Sequence, residues 1–453
     1  MRYEMLWRQK SGASRMRKSK SNSGILRQAS LKFRTGPLRR MRVARAAKHR
    51  DRSAARFVAV TGSSGKSTTV SLLGHILAAH APVRTQAKDN TINPLIRTLM
   101  RHRKEERFVV AELGVGAKGK MPQMANMFRP DVAVVTMVGL EHYSAFRSHE
   151  GVAQEKGAML DALNPDGVAV LNGDDNYVMG MSQRTSARIV TFGRQNTDVD
   201  FHVRDVRASF PNLLTFTIVG HAKTLNLKTQ FPGAHFWMPV TAAVVAALEL
   251  GVPIDIICAQ VATFLPVDGR CSVLHSPTGP SFILDTAKAP NGTINLAIDM
   301  LADAKAPRKR IVLGAISDYK GNGIPKYRAA WLAGKAVADQ VILVGRKISY
   351  ARPAPQDVED GRIIGFETTK EALDYIKETA TPGELILLKG SANFHLERIA
   401  LAFQQQVRCW EPACGMPGAC FTCPGVARPF DRQAIKRARK WRNVAFWQSK
   451  KQK

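Results

Sequence analysis

Beyond residue 56, short apolar runs alternate with amphipathic stretches along the chain. Runs that are rich in β-branched residues and bounded by turn-forming residues are typical of buried strands. Such strands alternating with helices favour a mostly parallel sheet. Over residues 200–228 the alternation of polar and apolar positions predicts β-hairpins, and residues 241–250 then predict a helix. The buried strands predicted in this half are residues 57–60, 107–112, 131–136 and 168–171.

A glycine-rich loop joins the first of these strands to an amphipathic helix, in the segment FVAVTGSSGKSTT at residues 57–69. Converging backbone N–H groups and the positive end of the helix dipole make such a loop an anion cradle. Lys66 supplies a mobile charge for the β- and γ-phosphates of a nucleotide, and the Ser67 hydroxyl is a natural Mg²⁺ ligand. The pattern predicts an ATP-binding loop made by Gly62, Ser63, Ser64, Gly65, Lys66, Ser67 and Thr68.

The strand and helix pattern restarts after the segment PVDGR at residues 266–270. We therefore predict an α/β fold in which a P-loop central domain with a parallel sheet is followed by a Rossmann-like C-terminal α/β domain. The central domain is assigned to residues 57–266 and the C-terminal domain to residues 267–407, with a hinge near residue 267. Strands of the second unit are predicted at residues 282–285, 310–314, 340–345 and 384–389, with helices beginning near Asn291, Lys326 and Thr369.

The formal net charge of +31 is concentrated at the two ends of the chain. Residues 1–56 hold 18 Lys and Arg against two acids, and residues 428–453 hold ten against one. Residues 1–56 are therefore predicted to be a basic, disordered tail, and residues 408–453 a cysteine cluster followed by a second basic tail. The charge of the core between them is that of an ordinary globular protein.

The tails allow more than one interpretation. They are either solvated polycations or contacts to an anionic membrane surface or nucleic acid. Residues 434–447, which fit a basic amphipathic helix, favour the surface contact. The N-terminal tail lacks the apolar core of a secretory signal, although its Arg and Ser content also fits an organellar transit peptide. Six cysteines and no apolar run of about 18 residues favour a reducing, cytoplasmic location.

Several motifs follow the loop in a fixed order. They are AELGVGAKGKM at residues 111–121, a stretch over residues 130–163 that contains GLEH and EGVAQEKGAML, and GVAVLNGDD at residues 167–175. PVDGR, LDTAKAPNG and LLKGS follow in the second unit. Together with the short loop form T-G-x-x-G-K-[ST]-T, these motifs resemble the Mur ligase family over residues 57–400. Residues 1–56 do not resemble that family's UDP-sugar-binding domain, which leaves the nucleotide-sugar substrate open.

The resemblance implies an ATP- and Mg²⁺-dependent ligase that joins an acid to an amino acid, in peptidoglycan-type synthesis for the cell envelope. In this family a carboxylate attacks the γ-phosphate of ATP, and an amine then captures the acyl phosphate to form an amide. Such chemistry asks the protein for positioning and charge neutralisation. The implied partners are ATP, a carboxylate acceptor and an amino-acid or peptide amine; the oligomeric state is left open.

The resemblance also assigns roles to individual residues. It implies that Lys66, His142 and Lys156 are catalytic, with Lys156 carbamylated so that its ammonium becomes a carboxylate-like metal ligand. Arg270 would reach the γ-phosphate when the hinge closes, and Asp285 would contact the ribose. The implied Mg²⁺ ligands are Ser67, Glu112, His142 and Lys156, and the implied substrate contacts are Asn90, Asn93 and Lys389.

Two further features of the sequence bear on the assignment. The family's adenine-binding asparagines are replaced by Phe236 and Pro239, so that stacking on Phe236 or Trp237 would take the place of hydrogen bonding to the base. The second feature is a group of four cysteines near the C-terminus. Their number fits a tetrahedral Zn²⁺ site, but their spacing is irregular, and a flexible segment with free thiols is the alternative. These cysteines are Cys409, Cys414, Cys420 and Cys423.

Two alternatives to a cell-envelope ligase remain open. One is a ligase of the same family that makes a poly-amino acid or a modified small metabolite. The other is a non-catalytic nucleotide-binding scaffold with basic tails, which the altered base-binding segment favours and the intact Lys66, Glu112 and Lys156 oppose.

Overall fold

The chain forms two β-sheets, each flanked by helices. The computed structural model describes residues 37–140, 143–345, 348–412, 414, 420–431 and 433. The first sheet has nine strands in the order β2-β3-β1-β4-β5-β6-β7-β8-β9. Pairing is parallel from β2 to β7 and antiparallel from β7 to β9. Its strands are β1 (Arg56–Thr61), β2 (Val83–Gln86), β3 (Phe108–Glu112), β4 (Val132–Val135), β5 (Val168–Asn172), β6 (Arg188–Gly193), β7 (Phe201–Ser209), β8 (Asn212–Gly220) and β9 (Lys223–Lys228).

Helices cover both faces of this sheet, and this explains why its central strands are apolar without alternation. β4 and β5 are buried along their whole length. The helices around this sheet are α1 (Pro37–Asp51), α2 (Lys66–Ala78), α3 (Ile92–Arg101), α4 (Lys120–Phe128), α5 (Tyr143–Phe146), α6 (His149–Gly157), α7 (Asn176–Met179), α8 (Trp237–Glu249) and α9 (Ile254–Thr263).

The second sheet has six strands in the order β10-β11-β15-β12-β13-β14, parallel except for the β10–β11 pair. The first strand of this sheet follows the connection that comes after α9. Its strands are β10 (Ser272–His275), β11 (Ser281–Asp285), β12 (Lys309–Leu313), β13 (Gln340–Val344), β14 (Ile363–Phe366) and β15 (Leu385–Lys389). Its helices are α10 (Ile294–Asp299), α11 (Ile324–Val337), α12 (Pro355–Glu359), α13 (Thr369–Thr379) and α14 (Glu397–Leu401).

Part of the predicted N-terminal tail is folded. The disordered assignment of residues 1–56 is wrong for α1, which packs against α3 and α4 and buries Ala46. Arg50 explains the docking, because it pairs with Asp131 at 3.0 Å and lies 3.9 Å from the centre of the Phe57 ring. The sequence signal was hidden because a basic, polar helix has the composition of a disordered segment.

The α/β fold with two parallel-sheet units agrees with the fold predicted from the sequence. The predicted basic helix over residues 434–447 lies outside the described residues, so a membrane or nucleic-acid contact stays a prediction. None of the helices in the described part of the chain combines the length and apolar character needed to span a bilayer.

Candidate active site

The topology of the first sheet brings three strand ends together. β1 lies between β3 and β4, so strands that follow it in the sequence lie on both sides of it in the sheet. In parallel sheets, ligands bind in the crevice at the carboxyl ends of the strands where the strand order changes direction in this way. The loop from Gly62 follows β1, Glu112 ends β3, and Thr136 follows β4. Residues far apart in the chain therefore meet at one edge of the sheet.

The glycine-rich loop is held in a fixed shape by its neighbours. Gly62 and Gly65 have φ values of 143° and 82°, which favour glycine. The Thr136 hydroxyl donates to the Ser64 carbonyl at 2.6 Å, and the Ser63 hydroxyl donates to the Gly139 carbonyl at 2.9 Å. The loop is therefore preorganised before any phosphate arrives.

Two lysines from different helices meet on this loop. Lys66 opens α2 and donates to the carbonyl of Gly62, and Lys156, near the end of α6, donates to the same oxygen at 2.9 Å. Lys156 is fully buried and Lys66 nearly so. The structure therefore brings together two of the predicted catalytic residues, 90 positions apart in the sequence.

Glu112 lies at the centre of a hydrogen-bond network beside the loop. Its carboxylate accepts the Ser67 hydroxyl at 2.7 Å, the Asn90 amide at 3.0 Å and the backbone N–H of Lys88 at 3.1 Å. Burial raises the pKa of Glu112, but the charge of Lys66 and these hydrogen bonds outweigh it, so the net pKa lies below the ordinary value. The carboxylate is therefore held charged, as a metal ligand must be.

The two predicted substrate asparagines are placed differently from each other. Asn90 orients Glu112, and its side chain fills the space beside Gly114, where a Cβ would come within 2.1 Å of the amide nitrogen. Asn93 is exposed in the first turn of α3. In this structure Asn90 is therefore a positioning residue for Glu112.

A cleft separates the loop from the second unit, and the predicted residues Arg270 and Asp285 line its far wall. Lys389, predicted to contact substrate, also lines the cleft but is buried and forms an ion pair with Asp285. The pair exists because β11 and β15 are adjacent and in register, with Asp285 opposite Lys389. Lys389 also donates to the Lys288 carbonyl at 3.2 Å.

The segment that replaces the family's asparagines forms an apolar part of the cleft. Phe236 lines the cleft, but its ring stacks on Phe231 with centroids 4.4 Å apart. Trp237 instead packs edge-on toward Phe192, at 6.5 Å between centroids, so the alternative of base stacking on Trp237 is not supported. Residues not predicted complete this wall, namely Met137, Met238, Leu296 and Ala297.

His235 lies in the same cleft. Burial lowers its pKa, and nearby Lys389 adds to this while Asp285 opposes it, giving a pKa of about 4. The imidazole is therefore neutral near neutral pH. It was not assigned a role from the sequence, where only its place in the G-x-H motif pointed to the site.

Two carboxylates that the sequence analysis did not single out hold the loops around the cleft. Glu155 accepts three backbone N–H groups at the start of α4, from Gly119, Lys120 and Met121, each at 2.8 Å. Asp175 accepts the N–H of Val138 at 2.7 Å. Their contacts depend on tertiary packing. His142 lies outside the described residues.

The four cysteines predicted as a possible zinc site do not gather into one cluster. Among the described residues, a group of three or more metal-type side chains within reach of one another forms only at His395, Glu397 and Cys420. Cys414 contacts His395 through sulfur at 3.6 Å from Nε2. Cys409 and Cys423 are not part of this group.

Comparison with known proteins agrees with this architecture. Residues 60–247 match the Mur ligase middle domain and residues 269–392 match the glutamate ligase domain of Mur ligases. The UDP-N-acetylmuramoyl-tripeptide–D-alanyl-D-alanine ligase of Bacillus subtilis is 28% identical over 351 residues, covering 76% of this chain and 75% of that protein. The enzyme of that name from Escherichia coli is 26% identical over 361 residues, covering 78% of each.

Solved structures show the same similarity. MurF from Acinetobacter baumannii superposes with a TM-score of 0.70 at 25% identity, covering 80% of this chain and 79% of that one. The MurF ligase of Thermotoga maritima in complex with ADP gives a TM-score of 0.68 at 21% identity, covering 80% and 83%.

A P-loop domain with a parallel sheet, sharing a cleft with a second α/β domain, defines a nucleotide-dependent enzyme. The two domain matches, which together span most of the chain, identify it further: it belongs to the Mur ligase family. Members of this family are ATP-dependent, Mg²⁺-requiring ligases that form amide bonds, and peptidoglycan synthesis is their best-known setting. The predicted ATP-dependent carboxylate–amine ligase is thereby confirmed.

Proposed function

We propose that this chain joins the carboxylate of a muramoyl-type peptide to the amine of a dipeptide such as D-alanyl-D-alanine, with ATP as the energy source. The observation that carries the proposal is the convergence of Lys66 and Lys156 on the Gly62 carbonyl, next to the paired Ser67 and Glu112. This is the part of a ligase that must neutralise and align phosphates. The substrate class is that of the related UDP-N-acetylmuramoyl-tripeptide–D-alanyl-D-alanine ligases.

Lys66 and the N–H groups of the loop would bind the β- and γ-phosphates of ATP. In the structure Lys66 folds back on Gly62, and this contact holds its charge beside the loop until a phosphate displaces the carbonyl as its partner. Arg270 extends from the opposite wall of the cleft and would stabilise charge on the γ-phosphate from that side.

The residues present suit a magnesium ion. Ser67 and Glu112 supply a hydroxyl and a charged carboxylate 2.7 Å apart, which are oxygen donors of the kind that Mg²⁺ prefers. Carbamylated Lys156 and His142 are the further proposed ligands. Bound Mg²⁺ would neutralise the phosphate oxygens, while Asn90 and Lys88 hold the Glu112 carboxylate in place.

The reaction then needs two substrates aligned with this phosphate. The acceptor carboxylate attacks the γ-phosphorus, ADP leaves, and an acyl phosphate results. The amine next attacks the acyl carbon, inorganic phosphate leaves, and the amide forms with loss of a proton. The ion pair of Asp285 with the buried Lys389 at the strand ends would fix the wall against which these substrates lie.

A second candidate is a ligase of the same family that acts on a poly-amino acid or a small metabolite. The observation in its favour is that residues 37–55, the part before β1 that the structure describes, form the docked helix α1 and no strand. The residues that bind phosphates would serve either reaction.

Phosphate release with defined substrate pairs separates the two candidates. The full-length protein is incubated with ATP, Mg²⁺ and either UDP-muramoyl tripeptide plus D-alanyl-D-alanine, or a panel of amino acids with small carboxylic acids. We expect ADP, phosphate and the pentapeptide product from the first mixture, identified by mass spectrometry. Product from the panel alone would support the second candidate, and product from neither would contradict both.

A further inference from the structure

A buried group of nitrogen, oxygen and sulfur donors lies at the start of α14, beyond the residues that match the family domains. His395 Nδ1 is 3.5 Å from the Cys420 sulfur and 3.7 Å from a carboxylate oxygen of Glu397. All three side chains are buried, and their ligand atoms lie within 4.8 Å of one another. We infer that these residues form a zinc site, which joins the C-terminal segment to the second domain.

The separations fit a tetrahedral zinc ion. Zinc bonds of about 2.3 Å to sulfur and about 2.0 Å to nitrogen, at tetrahedral angles, place those two donors about 3.5 Å apart. The distance between the sulfur of Cys420 and Nδ1 of His395 has this value. The mixture of thiolate, imidazole and carboxylate is typical of zinc ligands. Three protein donors leave the fourth position to a water molecule.

An independent observation is the state of Glu397. Its Oε1 accepts the backbone N–H of Cys420 at 3.1 Å, but its Oε2 is buried and has no hydrogen-bond partner among the described residues. Only 2% of this residue is exposed. Burying a carboxylate oxygen without a hydrogen-bond partner destabilises the folded protein, and a cation beside the oxygen would remove this destabilisation.

The surroundings also suit the proposed ligands. With Nδ1 on the metal, Nε2 of His395 carries the proton and faces the sulfur of Cys414 at 3.6 Å, as the outer nitrogen of a ligating histidine usually faces an acceptor. Arg398 donates through Nε to the sulfur of Cys420 at 3.1 Å, and this contact opposes the rise in the pKa of the thiol that burial causes. The ion, one thiolate and one carboxylate are together neutral.

The site explains how a weakly packed segment is held. The fully buried apolar residues under this segment are Leu401, Cys420 and Val426, with the partly buried Val407 and Phe421 packed against them, a small core for the segment that it anchors. Backbone N–H groups of Arg408 and Cys409 donate to the carbonyl of Val426, and Arg398 donates to the carbonyl of Glu411 at 2.9 Å. A metal bridge between Cys420 and His395 would add the missing link, because zinc binding contributes directly to folding.

Zinc content of the full-length protein tests this assignment. After chelation and equilibrium dialysis against micromolar zinc, the wild-type protein should bind about one zinc per chain, measured by mass spectrometry of the metal. His395→Ala and Cys420→Ser should weaken binding at least about a hundredfold, since even partners outside the ligand shell contribute ten- to hundredfold. Cys258→Ser on α9, Cys409→Ser and Cys423→Ser are the matched controls and should retain one zinc.

Cobalt substitution covers the case in which a cysteine or histidine variant does not fold. The wild-type protein loaded with Co²⁺ should show thiolate-to-cobalt charge-transfer absorption, and the isosteric Glu397→Gln should lower zinc affinity while leaving the fold intact by circular dichroism. A wild-type protein that binds no zinc overturns the inference. So does a site that needs Cys409 and Cys423 but not His395, which would be the four-cysteine arrangement instead.

Discussion

The two ends of the nucleotide cleft differ in how they would recognise a nucleotide. At the phosphate end, charged and polar contacts hold the glycine-rich loop in one conformation. They involve Lys66, Ser67, Glu112 and Lys156. At the other end, Phe236 and Pro239 stand where the family has asparagines, and the wall is apolar. From this contrast we expect the phosphate end to support phosphate transfer as in the family, and the other end to bind the base without hydrogen bonds from asparagine.

The largest expected effect is at the phosphate end. Lys66→Ala should reduce ATP turnover by about a thousandfold or more, because charge neutralisation at the transferred phosphate is the main catalytic demand. Phosphate release measures this. Lys104→Ala removes an exposed lysine outside the cleft and serves as the control. Retained turnover in a folded Lys66→Ala protein would contradict the assignment of the loop.

A variant of Lys156 tests whether this lysine is carbamylated and so acts as a carboxylate-like metal ligand. Lys156→Ala should lose about two to three orders of magnitude in turnover, and short carboxylic acids should partly restore it by replacing the missing carbamate. The same acids should not restore Lys66→Ala, where a positive charge is missing. Equal rescue of both variants, or full activity of Lys156→Ala without any acid, would rule out carbamylation.

The other end of the cleft, where the nucleotide base would lie, should make the stability of the protein depend on pH through His235. The unfolded chain binds a proton at this residue near pH 6.5, whereas the imidazole in the folded protein does so only near pH 4. The free energy of unfolding should therefore fall as the pH drops from 6.5 to 4, by about 3 kcal/mol in all, and change no further from this cause below pH 4.

Urea unfolding across this pH range measures that slope. His235→Asn, which does not titrate, should flatten the profile between pH 6.5 and 4. The exposed His80 offers a matched control, because His80→Asn removes a histidine outside the cleft. A His235→Asn profile with the wild-type slope would show that other groups cause the acid sensitivity.

The positions of the site residues can be predicted from the sequence where the signal is local. The loop and Lys66 follow from a short strand–turn–helix pattern, and Glu112 follows from its place at a strand end. The role of Asn90 could not be predicted in this way, because Asn90 becomes a neighbour of Glu112 only when β2 and β3 pair. The Asp285–Lys389 pair likewise depends on β15 entering the sheet beside β11.

The C-terminal region shows the same limit more sharply. Cysteine spacing drew attention to four thiols, but the structure brings Cys420 to His395, a residue 25 positions earlier with no metal-type spacing to mark it. Helix α1 was missed for a different reason. Its composition is that of a solvated polycation, and the contacts that hold it to the domain, such as those of Arg50 with Asp131 and Phe57, form only in the folded protein.

Nucleotide preference gives the smallest effect and bears most directly on the contrast between the two ends. A site that hydrogen-bonds the base rejects analogues without the matching groups, whereas apolar contact with Phe236, Met238 and Leu296 distinguishes adenine from guanine poorly. Each hydrogen bond lost is worth about 0.5–1.5 kcal/mol, so the preference for ATP over GTP should be about tenfold or less. Parallel phosphate-release assays measure it. Lys66→Ala should lower the rates with ATP and GTP by the same factor, because the phosphate end does not read the base. A wild-type preference of a hundredfold or more would mean that polar groups elsewhere in the cleft select the base, and that the two ends are less different than their residues indicate.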